Sequence, residues 1–135
     1  MAVQKSVAVR NAELDAIETT VGASAVLKIR TGAQPASCAA ADSGTVLATM
    51  TLPADWMSAA SGGTKAKLGT WSDASADATG TAAHWRLYAS DGTTCHMQGS
   101  VTATGGGGDL TLDNTSIAAT QPVSITSWTL TEGNA

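Results

Sequence analysis

Phenylalanine is absent from this chain of 135 residues, tyrosine occurs once, cysteine twice and proline three times. Large aliphatic side chains are scarce as well, while Ala, Thr, Ser and Gly make up more than half the sequence. A core drawn from this stock is thin, because alanine buries little area and apolar burial stabilises by roughly 25 cal/mol per Å². A low share of Leu, Ile, Val and Phe is half of a disorder signature. The other half, a strong net charge, is missing, since the formal balance is only −4. The length suits one folded domain with no room for a separate cofactor-binding unit. Docking or self-association is expected to supplement its stability.

Basic residues are few and scattered, seven Lys and Arg in all, so there is no electrostatic footprint for nucleic acid or for an anionic membrane. No apolar run approaches the roughly 18 residues of a membrane span. Gln4, Lys5, Ser6 and Arg10 interrupt the start of the chain, so no secretory signal is expected there. Asn114-Thr115-Ser116 fits the N-glycosylation pattern, but a chain without a signal does not meet that machinery. Cys38 and Cys95 are too few and too far apart for a disulfide framework or a zinc site with CxxC spacing. They read as free thiols, Cys95 packing as a small hydrophobe.

What is present is mostly alternation. Val7 and Val9 alternate with Ser6, Ala8 and Arg10, which predicts an extended arm over residues 1–10 that adds as a strand to a neighbour. Asn11 is placed to cap a helix running to about Val21, with Leu14, Ile17 and Val21 on one face and Gly22 ending it. From there the period is two. Strands are expected around Leu27 and Ile29, from Thr45 to Leu52, around Leu68 and Trp71, and from Thr81 to Ala89. The last of these puts Ala83, Trp85 and Leu87 inward and His84, Arg86 and Tyr88 outward. Asp91-Gly92 marks a hairpin turn into a returning strand over CHMQGSVTAT. Gly105 to Gly108 reads as a mobile loop before the strand DLTLD. In the terminal strand Val123 and Ile125 differ in parity from Trp128 and Leu130, which predicts a β-bulge near Ser127. Seven or eight short strands after one helix indicate a mainly β domain over 11–135, a β-sandwich or jelly roll.

Chemistry-bearing motifs are weak. The four-glycine run is followed by Asp109 rather than by Gly-Lys-Ser/Thr, so it is no phosphate cradle. His84 and His96 have no carboxylate at a telling spacing, and His84 is expected in a solvated role on the polar face. Cys95 and His96 are neighbours in a strand and point to opposite faces, which argues against a shared metal. Ser61 and Lys65 lie in a glycine-rich loop in an unsuitable order for an activated nucleophile. No catalytic, metal-ligating or cofactor-binding residue is assigned, and the chain reads as a non-enzyme. Trp85 and Trp128 fall at core-phase positions, whereas Trp56 and Trp71 border loops, where an indole serves an interface, a glycan or the open end of a sandwich.

The strings RNAELDAIETTVGASAVLKIRTG, LPADWM, DGTTCH and TGGGGDLTLDN resemble a family of small proteins encoded among the structural genes of tailed bacteriophages and prophages. The resemblance covers nearly the whole chain and implies a virion protein without catalytic residues. The role it implies is a capsid decoration or cementing protein, jelly-roll-like, on the capsid exterior and assembled in the bacterial host cytoplasm. Its partners would be the major capsid protein and further copies of itself. A receptor- or glycan-binding module of a head or tail fibre is the competing reading, and a tail-tip or head-completion protein a third. Contact with the shell is expected at Val7, Val9, Arg10, Trp56 and Met57, apolar or planar groups without an evident strand partner.

Overall fold

The computed structural model describes residues 3–133. A helix, α1 (Val7–Val21), is followed by the short strands β1 (Val26–Arg30), β2 (Val46–Thr51), β3 (Thr64–Ala66), β4 (Trp71–Asp73), β5 (Gly80–Thr81), β6 (His84–Tyr88), β7 (Cys95–Ala103), β8 (Leu110–Leu112), β9 (Ser116–Ile117), β10 (Val123–Ile125) and β11 (Thr129–Thr131). One five-stranded sheet has the order β2-β1-β6-β7-β8, and the remaining strands pair as β10 with β4, β11 with β3 and β5 with β9. The fold is mainly β and sandwich-like with one N-terminal helix, as the alternation implied. Beside the main sheet the remaining strands form two-stranded ladders rather than a second continuous sheet.

The N-terminal segment departs from the expected arm. Helix α1 begins at Val7, and Ser6 caps it by accepting the Val9 N–H at 3.3 Å. Serine satisfies an otherwise orphaned amide at a helix start, and this outweighs the strand-like alternation of Val7 and Val9. Residues 1 and 2 of the expected arm lie outside the described residues. Asn11 is inside the helix, where its side chain accepts the Gly63 N–H at 2.9 Å. The other end agrees with the sequence: Leu14 and Val21 are buried, Ile17 partly so, and Gly22 closes the helix at φ 92°.

The hairpin around Asp91-Gly92 also forms as expected. β6 and β7 are antiparallel, and Asp91 accepts the backbone N–H groups of Thr93 and Thr94. One residue of β7, His96, is extra in the ladder, so Tyr88 stands opposite Cys95 while Leu87 stands opposite Met97. The glycine run 105–108 packs against Thr102, where an added Cβ on Gly106 or Gly108 would come within 2.8 Å of the Thr102 side chain. Packed this tightly, the run doubles the chain back so that β8 lies parallel to β7. The connection is far shorter than the dozen or so residues parallel neighbours usually need. The terminal strand is not bulged but divided. β10 pairs with β4 and β11 with β3, so the change of parity marks a change of ladder.

All four tryptophans lie inside. Trp56 and Trp71, expected at loop edges, are buried at 0% and 1% exposure. Centroids step 6.0 Å from Trp56 to Trp71, 5.2 Å to Trp128 and 5.3 Å to Trp85, a continuous indole chain. Trp56 donates its indole N–H to the Gly22 carbonyl, Trp71 to Leu68 and Trp128 to Asp109. In a chain without phenylalanine these rings are the largest apolar groups of the core, and three of their N–H groups find partners that offset the cost of burial, whereas the Trp85 N–H is buried without one. Trp85 lies directly over Gly99, where an added Cβ would stand 2.7 Å from the indole nitrogen. Gly99→Ala should therefore displace a core indole and lower stability by about 1–3 kcal/mol in urea unfolding. A change under about 0.5 kcal/mol, the level of a neutral surface substitution, would contradict this packing.

Candidate functional site

Exposed apolar side chains concentrate at the N-terminus. Among the described residues the large hydrophobics left in solvent are Val3, Val7, Val9 and Leu68, at 82%, 46%, 47% and 41% exposure. Three of these lie within the first nine residues. The segment is tied down on its other side, because Lys5 pairs with Glu132 at 2.6 Å and Glu13 at 2.8 Å, and Arg10 donates to the Glu132 carbonyl at 3.4 Å. From Val9 the helix stripe continues through Glu13, Ala16 and Thr20 by i+4 and i+3 steps. These last three, with Ile17 and Val21, line a groove of about 250 Å³ against His96 and Met97 of β7. The geometry suits docking of a partner surface, with a rigid helix edge, a shallow apolar groove and charged groups at its margin.

The opposite side of α1 is polar and engaged. Asn11, Asp15 and Glu18 recur at i, i+4 and i+7 and face the loop between β2 and β3. Glu18 accepts the N–H groups of Trp56 and Met57 at 3.0 Å each, and Asp15 accepts that of Ala60 at 2.9 Å. Lys65, buried at 3% exposure, reaches Asp15 at 2.8 Å and Glu18 at 3.1 Å. Burial pushes the Glu18 carboxyl up, but the Met57 N–H and Lys65 outweigh it and hold it below the usual carboxylate range. The hydrogen bond from Lys65, then that from Ala60, holds Asp15 down as well. Asp55 is pushed up because it shares a hydrogen bond with Glu18. Two neighbouring carboxyls shifted in opposite directions resemble an acid/base dyad, but the Glu18 oxygens are committed to backbone amides and to Lys65. This cluster clamps the helix to the β body.

Lys65→Met should therefore lower stability at neutral pH by about 2 kcal/mol, less than for a fully enclosed pair because Asp15 is half exposed. Lowered carboxyl pKa values contribute stability above the unfolded carboxylate range near pH 4, and it is lost as pH falls through the folded values. The deficit of the variant should thus be full at neutral pH and shrink below about pH 4, a trend readable from urea midpoints across that window. A deficit independent of pH would assign the loss to packing of the lysine stem.

The outward face of β1 and β6 is not solvated. Arg30, His84, Arg86 and Tyr88 are all buried, because the small-residue loop 32–44 lies across them. Arg86 donates to the carbonyls of Ser37, Cys38 and Ala40, and both Arg86 and Arg30 pair with Asp42. The Tyr88 hydroxyl donates to Asp42 at 2.7 Å, and burial together with that carboxylate pushes Tyr88 up to about 12. His84, expected in solvent, donates from Nδ1 to the Gly32 carbonyl at 2.9 Å. Alternation predicted one buried face for this strand, and the loop buries the other.

Of the five residues expected at a contact, Val7 and Val9 are exposed on α1 and Arg10 is half-buried against Glu132. Trp56 and Met57 are core residues at 0% and 1% exposure and leave the candidate surface. Sequence reasoning missed Ala16, Ile17 and Met97 as groove residues. The helical spacing of the first two was visible, but the strand packed beside them was not. No group of three or more metal-ligating side chains gathers among the described residues. No family model matches the chain, and no curated protein or solved structure is detectably similar to it.

Proposed function

We propose that this chain is a virion structural protein of a tailed bacteriophage, a capsid decoration protein that binds the assembled shell and stabilises it. The observation that carries the reading is the concentration of exposed apolar side chains, Val3, Val7 and Val9, around a helix start that the Lys5–Glu132 ion pair ties to the segment after β11. A cementing protein needs a small, pre-organised contact of this kind rather than an active site, because symmetry repeats each contact over the whole particle. Binding to a surface created only when capsid subunits are correctly juxtaposed favours that arrangement through differential affinity. Docking is therefore by the exposed first turn of α1 and the groove that continues from Val9, and not by strand addition. A glycan-binding module would use exposed indoles, and both candidates, Trp56 and Trp71, are inside the core.

The test combines occupancy with one variant. Purified particles should carry the protein in hundreds of copies, as symmetry-repeated binding requires, and a few tens at most would indicate a fibre or completion protein instead. The double variant Val7→Asp, Val9→Asp should keep its thermal midpoint, since both positions face solvent, and lose at least about tenfold in affinity for stripped shells, equivalent to about 1.4 kcal/mol. Wild-type occupancy by this variant would remove the α1 face from the interface.

A further inference from the structure

The extra residue in the β6–β7 ladder sets the direction of the Cys95 side chain. With His96 looped out, Cys95 stands opposite Tyr88, on the sheet face that also carries Arg86. That face lies under loop 32–44, which holds the only other cysteine, Cys38. Arg86 fixes the loop there by donating to the Cys38 carbonyl at 2.9 Å and to the neighbouring carbonyls of Ser37 and Ala40 at 3.2 Å each. Cys38 is thereby held over the sheet face that carries Cys95. Both cysteines are free and only half-buried, so a small reagent can reach them. Cys95 is thus not the enclosed small hydrophobe that its sequence context implied, and its Sγ also contacts the Met97 carbonyl at 3.4 Å.

We propose that Cys38 and Cys95 form a redox pair that closes into an intramolecular disulfide, stapling loop 32–44 to the β6–β7 hairpin when the protein meets a low-molecular-weight disulfide. The Cys38 thiolate attacks one sulfur of the reagent and expels a small thiolate, giving a mixed disulfide. The Cys95 thiol then loses its proton to solvent and attacks the Cys38 sulfur, expelling the second small thiolate. Two protein thiols are oxidised, one small disulfide is reduced to two thiols, and no other electron acceptor is needed. Burial, and then the neighbouring Cys38, pushes the Cys95 thiol up to about 11, with Arg86 opposing. First attack therefore falls to Cys38. The inference rests on the loop geometry and is independent of the shell-binding proposal.

The experiment uses the full chain and oxidised glutathione at mildly alkaline pH, followed by intact mass and peptide mapping without reductant. The expected product is a monomer lighter by about 2 Da, with Cys38 and Cys95 in one linked peptide pair and no retained glutathione. Its thermal midpoint should rise by several degrees, on the order of 5–10 °C, because the link closes a long loop of the unfolded chain. Dithiothreitol should restore both mass and midpoint. Cys38→Ser and Cys95→Ser should each stop at a single glutathione adduct. Persistent glutathione adducts on the wild-type protein, a disulfide-linked dimer or two unmodified thiols would each overturn the proposal.

Discussion

Asp42→Ala should destabilise the protein by about 3 kcal/mol, because it strips two buried guanidiniums of the one carboxylate that pairs with them among the described residues. Arg30 and Arg86 are 6% and 1% exposed, and each directs a nitrogen to Asp42, as does the Tyr88 hydroxyl. A buried cation without its partner keeps its desolvation penalty and loses the attraction that offset it, which costs more than the intact pair contributed. The Asp42 side chain is 39% exposed, so the loss falls toward the lower end of what a wholly enclosed pair would show. Arg86→Met provides the contrast. It leaves Arg30 paired with Asp42, fills the space with an apolar stem and releases three loop carbonyls near solvent, so its cost should be smaller. Urea unfolding of the two variants and the wild type decides the order. Equal losses would mean that the carbonyl contacts to loop 32–44, and not the charge balance at Asp42, hold this face together.

The same face shows where sequence reading succeeds and where it stops. Alternation placed Trp85 and Leu87 inward and grouped His84, Arg86 and Tyr88 on the reverse side, and the structure keeps both groupings. It could not show that the reverse side is covered, because the cover is a loop without periodicity whose only relevant signal is Asp42. The helix start failed for a different reason. Val7 and Val9 have strand alternation, but Ser6 stands in front of them and caps a helix, so a local hydrogen bond overrode a pattern of two residues. Within the candidate surface, exposed Val7 and Val9 were legible while Met97 was not, since no local signal connects the start of β7 to α1. Trp56 and Trp71 border loops in sequence yet lie in the core: Trp56 sits in the irregular segment between β2 and β3, and β4, which carries Trp71, is too short for a recognisable period. Three-residue strands take their burial from whatever packs over them.

Trp71→Ala should be the most damaging single change, with a loss of about 4 kcal/mol, within the range of about 3–5 for removing a buried aromatic. Its ring is second in the chain of four, 6.0 Å from Trp56 and 5.2 Å from Trp128, and its N–H donates to the Leu68 carbonyl at 3.1 Å. Truncation would open a void between two indoles and strand that carbonyl, while the ladder between β4 and β10 loses the side chain that holds it on the core. Small domains have only about 5–15 kcal/mol in total, so the variant should unfold on the order of 10–20 °C lower. Trp71→Phe should recover part of this by keeping a ring against both neighbours without the donor. Near-ultraviolet circular dichroism, which reports the coupled indoles, should lose most of its intensity in the alanine variant even where the far-ultraviolet β signal persists. A loss under about 1 kcal/mol would show that the wall beside β4 is held by its ladder hydrogen bonds rather than by the tryptophan chain.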